Sequence, residues 1–146
     1  MAFYQTSVRT ALGVADAFER MAHVERFAEW DPGVLRGTQV RGVGPGPDAV
    51  YDLLIDALPK QTFRYQITQY EAPKRYRMVA RTALFTSYDD VVVEAWGGGA
   101  RVTYAAELVL NGPLAVFDRA LRPVFRRIGD RAARGLAQFL SGALEP

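Results

Sequence analysis

The stretch GPLAVFDRALRPVFRRIGDRAARGLAQFLSGAL, residues 112–144, decides the fold. Leu114, Phe117, Leu121, Val124, Phe125, Ile128, Ala132, Leu136 and Phe139 recur at steps of three and four, which places them on one face of a helix. Arg119, Arg122, Arg126, Arg127, Arg131 and Arg134 fall mostly elsewhere on the wheel. The spacing predicts one long amphipathic helix from Gly112 to Leu144, with Pro113 near its first turn. A stripe this apolar needs a large apolar partner, and the segments before it are the only candidate.

Those segments read as strands. Phe3–Thr10 is a first strand, followed by helical spacing through Val14, Phe18 and Met21. His23–Glu29 continues as a second short helix or a bent extension, and Trp30-Asp31-Pro32-Gly33 stops it. The period then becomes two. Strands are predicted at Val34–Val43, Ala49–Leu58, Thr62–Tyr70, around Tyr76–Ala80, at Phe85–Ala95 and at Arg101–Leu110. Gly44-Pro45-Gly46-Pro47, Pro59-Lys60, Ala72-Pro73-Lys74 and Gly97-Gly98-Gly99 punctuate them. Links this short require antiparallel neighbours. The expected class is α+β in one domain over residues 1–146: a seven-stranded antiparallel meander, two short helices after the first strand, and one long C-terminal helix.

A strongly curved sheet and a straight helix cannot close on each other everywhere, and the gap is a natural ligand site. Aromatic residues are expected on the inner face: Tyr51, Phe63, Tyr65, Tyr76, Phe85 and Tyr104, with Phe117 from the helix. Tyrosine hydroxyls there would orient an apolar ligand. Leu53, Met78 and Leu121 extend the candidate binding set, and Trp30 is expected near the mouth.

Composition narrows the function classes. The 146 residues are 49% hydrophobic and 23% charged, with seven Tyr, eight Phe and two Trp, which fits a globular chain rather than a disordered one. With no cysteine, disulfides, thiolate catalysis and cysteine metal sites are excluded. No apolar run is long enough to span a membrane, and the first residues do not resemble a signal peptide, so a cytoplasmic location is expected. The net charge is only +2. The terminal arginines read as a solvated helix face rather than a nucleic-acid surface, with peripheral membrane contact as the weakest alternative.

Catalytic signatures are scarce. His23 is the single histidine; its spacing to the carboxylates forms no recognisable triad, a lone histidine cannot make a histidine-rich metal site, and no metal or cofactor is expected. Asp52, Asp56, Asp89, Asp90, Glu94 and Glu107 lie on predicted strands, where the expected role is cross-strand pairing on the outer face with Arg64, Arg77, Arg81 or Arg101. The glycines at 42, 44 and 46 lack the helix and lysine of a phosphate loop.

The element order, the Trp30-x-Pro32 element in Phe27–Val34, the hairpin from Asp89-Asp90 through Gly99–Tyr104, and Gly112-Pro113-Leu114 opening the last helix together resemble the START-related superfamily of polyketide cyclases/dehydrases and lipid-transport proteins. That group also contains the major birch pollen allergen. The resemblance spans nearly the whole chain and implies a helix-grip fold with a hydrophobic tunnel between helix and sheet. It implies binding or transport of a lipid, polyketide or aromatic metabolite, with polyketide cyclase/aromatase chemistry as the alternative. No catalytic motif carries over. Trp30, Tyr65 and Tyr76 are candidates only as pocket side chains.

Overall fold

The chain opens with β1 (Ala2–Thr10), α1 (Val14–Ala22) and a 3-10 helix over Val24–Glu29. A meander follows: β2 (Val34–Arg41), β3 (Val50–Ile55), β4 (Gln61–Glu71), β5 (Arg75–Arg81), β6 (Phe85–Trp96) and β7 (Gly99–Leu110). A second 3-10 helix, Gly112–Phe117, leads into α2 (Asp118–Phe139), and β8 (Ala143–Leu144) ends the order. The computed structural model describes residues 1–57 and 59–146; the end of the strand expected over Ala49–Leu58 therefore lies outside the described residues.

All pairings are antiparallel, in the order β2-β3-β4-β5-β6-β7-β1-β8. The consecutive hairpins follow from the short turns. Trp96 faces Gly99 across the tightest of them, where Gly97 takes the left-handed conformation that glycine adopts without penalty. Register shifts in the β2–β3 and β4–β5 pairs mark bulges or irregularities, the kind of feature at which a strand bends.

Two expectations need correction. Among the described residues the sheet has eight strands, not seven, because the chain turns back after α2 and sets Ala143 and Leu144 against Arg9 and Val8. The long helix is also shorter than its apolar stripe. Its first six residues are 3-10, and it stops at Phe139 with a Schellman turn. There the Gly142 amide donates to the Ala137 carbonyl (2.8 Å), the Ser141 amide donates to that of Gln138 (3.1 Å), and Ser141 is left-handed.

The core sits under α1 and the first 3-10 helix. Phe18 meets the Tyr76 ring edge-on at 6.0 Å, and Phe27 lies 4.7 Å from Trp30. Phe27, Tyr51, Leu53, Tyr76 and Met78 are all fully buried in one cluster. Each such burial stabilises by about 1.5–3 kcal/mol. The second half of α2 sits on the sheet through small residues, Gly129, Ala132 and Ala133, with Leu136 beneath. A side chain at Gly129 would overlap the Tyr4 ring, and one at Gly135 would overlap the Trp30 carbonyl, so these glycines set how near the helix can come.

Candidate functional site

The first half of α2 is packed differently. Val124 and Ile128 remain 54% and 49% exposed although both belong to the apolar stripe. Pro123 also removes a backbone donor from this half. Where the helix stands off, a cavity of about 270 Å³ opens between it and the sheet.

Strand alternation builds its floor. On β4, Phe63 and Tyr65 face in, and on β6, Phe85, Ser87 and Asp89 do so. Tyr104, Ala106 and Leu108 supply the next strand, β7. Leu121, Phe125 and Ile128 form the roof. Phe85 and Leu121 also line an outer apolar groove with Leu114 and Phe117, so apolar surface is continuous from interior to solvent.

Of the residues singled out from the sequence, Phe63, Tyr65, Phe85, Tyr104 and Leu121 line this cavity. Phe117 is 59% exposed and lines the outer groove instead. Tyr51, Leu53, Tyr76 and Met78 are in the dry core, away from the cavity lining. Their strands carry the same alternation, but α1 and the 3-10 helix cover that end completely. The Tyr76 hydroxyl donates to the Met21 carbonyl at 2.5 Å and holds α1 down. Trp30 is not at the mouth. It is buried between Phe27 and Tyr104, its ring 5.4 Å from the latter, with α2 over its backbone.

The inner end of the cavity is polar. Tyr104 donates its hydroxyl to Asp89 Oδ2, Ser87 donates to Asp89 Oδ1 at 3.1 Å, and the Tyr65 hydroxyl donates to Ser87 Oγ at 3.2 Å. Burial pushes the Asp89 carboxyl up to about 6, against the opposing pull of its hydroxyl donors. Burial, reinforced by the Asp89 charge, raises Tyr65 and Tyr104 well above the usual phenol range, so both remain donors at neutral pH. Asp31 lines the same cavity and accepts the Gly33 amide at 2.8 Å. Its carboxyl is raised by burial, with the Gly33 hydrogen bond and Arg131 pulling the other way.

Asp89 therefore corrects the expectation that the strand acids pair with arginine outside. Asp52 does so, bidentate to Arg64 at 2.8 and 2.9 Å, as does Asp90 to Arg77 at 2.8 and 3.0 Å. Glu94 reaches Arg101 at 3.5 Å. Among the described residues, Asp56, Glu107 and Arg81 form no ion pair. The signal for Asp89 was present: it has the same strand parity as Phe85, Val91 and Val93. Asp31, in the loop before β2, has no such periodicity to reveal it.

His23 caps α1 and bonds Glu19 (2.8 Å) and Glu25 (3.1 Å), outside the cavity. Among the described residues no group of three or more acidic or histidine side chains could hold a metal, and no helix is long and apolar enough to cross a membrane.

Solved structures share this architecture. A START superfamily protein from Mycobacterium smegmatis superposes with a TM-score of 0.71 at 10% identity, over 96% of this chain and 94% of that one. The protein Ara h 8.0201 gives 0.66 at 14%, over 95% and 97%. The di-domain ARO/CYC StfQ from the steffimycin biosynthetic pathway gives 0.70 at 13%; it covers 96% of this chain, which spans 50% of that two-domain protein. At such identities the likeness concerns the fold. Comparison with curated proteins yields no match. The sequence profile described as polyketide cyclase/dehydrase and lipid transport matches residues 1–140, nearly the whole chain, and the chain therefore belongs to that family.

Proposed function

We propose that the protein binds or carries a hydrophobic small molecule, a lipid, polyketide or aromatic metabolite, in the cavity between the sheet and α2, as one domain. The observation that carries this reading is the void of about 270 Å³ walled by Phe63, Phe85, Leu108, Leu121 and Phe125. Empty apolar volume forfeits packing contacts, which a guest restores. An engineered cavity of about 150 Å³ takes benzene, so a fused bicycle or a ring with a short chain is the scale of guest that fits without movement. A longer chain could extend into the groove beyond Phe85 and Leu121.

The test is binding of an apolar fluorophore to the native protein, with mass spectrometry of the protein as purified. Leu121→Trp should fill the cavity and abolish fluorophore binding, while Val43→Trp, on a fully exposed turn, should leave it unchanged. Absence of both fluorophore binding and co-purified guest would overturn the reading.

A second reading, cyclase or dehydrase catalysis, is favoured by Asp89. A carboxyl held at about 6 and aimed into an apolar cavity can take or give a proton near neutral pH, and Tyr104 fixes its orientation. Asp89→Asn should then abolish turnover of a bound polycarbonyl chain while binding persists; unchanged turnover would remove this assignment.

A further inference from the structure

The charges around the cavity do not balance. Asp31 and Asp89 line it, and among the described residues no lysine, arginine or histidine does. The carboxylate of Asp89 is 4% exposed and receives only neutral hydroxyl donors. Arg131 acts on Asp31 from an exposed position on α2, and no cation is among the groups that shift Asp89. A buried carboxylate without a cation is costly. The cavity is also lined by the aromatic rings of Tyr65, Tyr104, Phe63 and Phe85, a ring type that attracts a cation over its face.

Resting on the binding function proposed above, we infer that the ligand is a lipophilic amine: an apolar ring or short chain ending in a protonated nitrogen that pairs with Asp89. The ammonium supplies the missing counter-charge, and its donors occupy acceptor capacity on Asp89 that Tyr104 and Ser87 leave unused. The apolar remainder fills the volume toward Phe85 and Leu121. A carboxylate ligand would meet two like charges at the inner end and should be rejected.

The experiment is calorimetric titration at pH 7 with three probes of one shape: 2-phenylethylamine, propylbenzene and 3-phenylpropanoate. In the wild type the amine should bind at least about tenfold tighter than propylbenzene, the advantage of one charge-assisted hydrogen bond, and the anion weakest. Asp89→Asn should reduce the amine to parity with propylbenzene while propylbenzene itself is retained. Asp52→Asn, on the outer face, should change nothing. The wild-type ranking stands even if Asp89→Asn fails to fold, and Asp31→Asn provides a second, smaller loss of preference. Equal affinity for amine and propylbenzene, or an amine preference that survives Asp89→Asn, overturns this inference and leaves hydrophobic binding intact. Failure of all three probes and of the apolar fluorophore overturns both.

Discussion

The two ends of the sheet's inner face carry the same kind of residue and meet opposite fates. Where α1 and the first 3-10 helix cover the sheet, Phe27 of that 3-10 helix and Tyr51, Tyr76 and Met78 of the strands are 2% exposed or less. Under the first half of α2, Phe63, Phe85, Leu121 and Phe125 are only partly buried around empty space. Both sets obey the strand and helix periods. What differs is the cover. Two short helices mould to one end, and Tyr76 ties α1 down. A single straight helix is seated by Gly129, Ala132 and Ala133 at its second half, so its bulky first half cannot also reach the curling sheet. Periodicity decides which way a side chain faces; the shape of the opposing layer decides whether it meets atoms or a void.

The sharpest way to break this contrast is a matched pair of truncations. Phe27→Ala at the filled end should cost about 3–5 kcal/mol in denaturant unfolding. Phe85→Ala should cost less, about 1–2 kcal/mol, because part of its surface already lacks packing partners. Equal losses would mean that the cavity is closed in solution and that the two ends do not differ.

Much of this was legible beforehand. Each strand announced itself by alternation, and Gly97-Gly98 by its turn chemistry. Five of the eleven proposed contacts line the void because parity alone places Phe63, Tyr65, Phe85 and Tyr104 inward, and helical spacing places Leu121. The other six required knowing where a roof lies. No local pattern says that two short helices seal Tyr51, Leu53, Tyr76 and Met78, or that α2 pins Trp30 beneath it. Phe117 belongs to the apolar stripe, yet the 3-10 start of the helix turns it outward. Asp89 was missed for another reason. The general preference of a strand acid for an outer arginine was applied to all six; it held for Asp52, Asp90 and Glu94, Asp56 and Glu107 form no ion pair among the described residues, and it failed at Asp89, where the parity of Phe85 and Val91 contradicted it.

The buried carboxyl gives the hollow end a pH signature. Asp89 sits at about 6 when folded and near 3.8 when unfolded, so between these values the native state holds a proton that the unfolded chain has released. Stability therefore falls as pH rises from about 4 to about 6, and the penalty is complete above that, on the order of 2–3 kcal/mol at most. Asp89→Asn should flatten this window. Comparing mutant and wild type at pH 8 and again at pH 4 cancels the hydrogen bonds that the amide loses at both. A mutant with the wild-type slope would show that Asp89 is hydrated, and hence that the inner end is wet.

Tyr76→Phe tests the lock at the filled end. Removing the hydroxyl leaves the Met21 carbonyl without this donor in a buried setting and should cost about 1–2 kcal/mol. Tyr65→Phe should cost less, since its partner Ser87 Oγ keeps its own bond to Asp89. The reverse order would place the more constrained hydroxyl in the cavity and invert the comparison.

The smallest effect expected is at His23, where the filled end is clasped shut. Burial lowers its pKa, but the hydrogen bonds and charges of Glu19 and Glu25 outweigh that, and the net direction is up. A raised histidine stabilises the fold fully below its unfolded value near 6.5, and the contribution is lost as pH climbs through the folded value. The slope has the same sign as that of Asp89 but begins where the other ends, so a single stability-against-pH curve separates the two ends of the molecule. His23→Gln should remove only the upper segment, and added salt should shrink it because Glu19 is exposed. A salt-independent slope above pH 6.5 would assign that segment to a buried group instead, and the clasp between α1 and the 3-10 helix would then be held by packing alone.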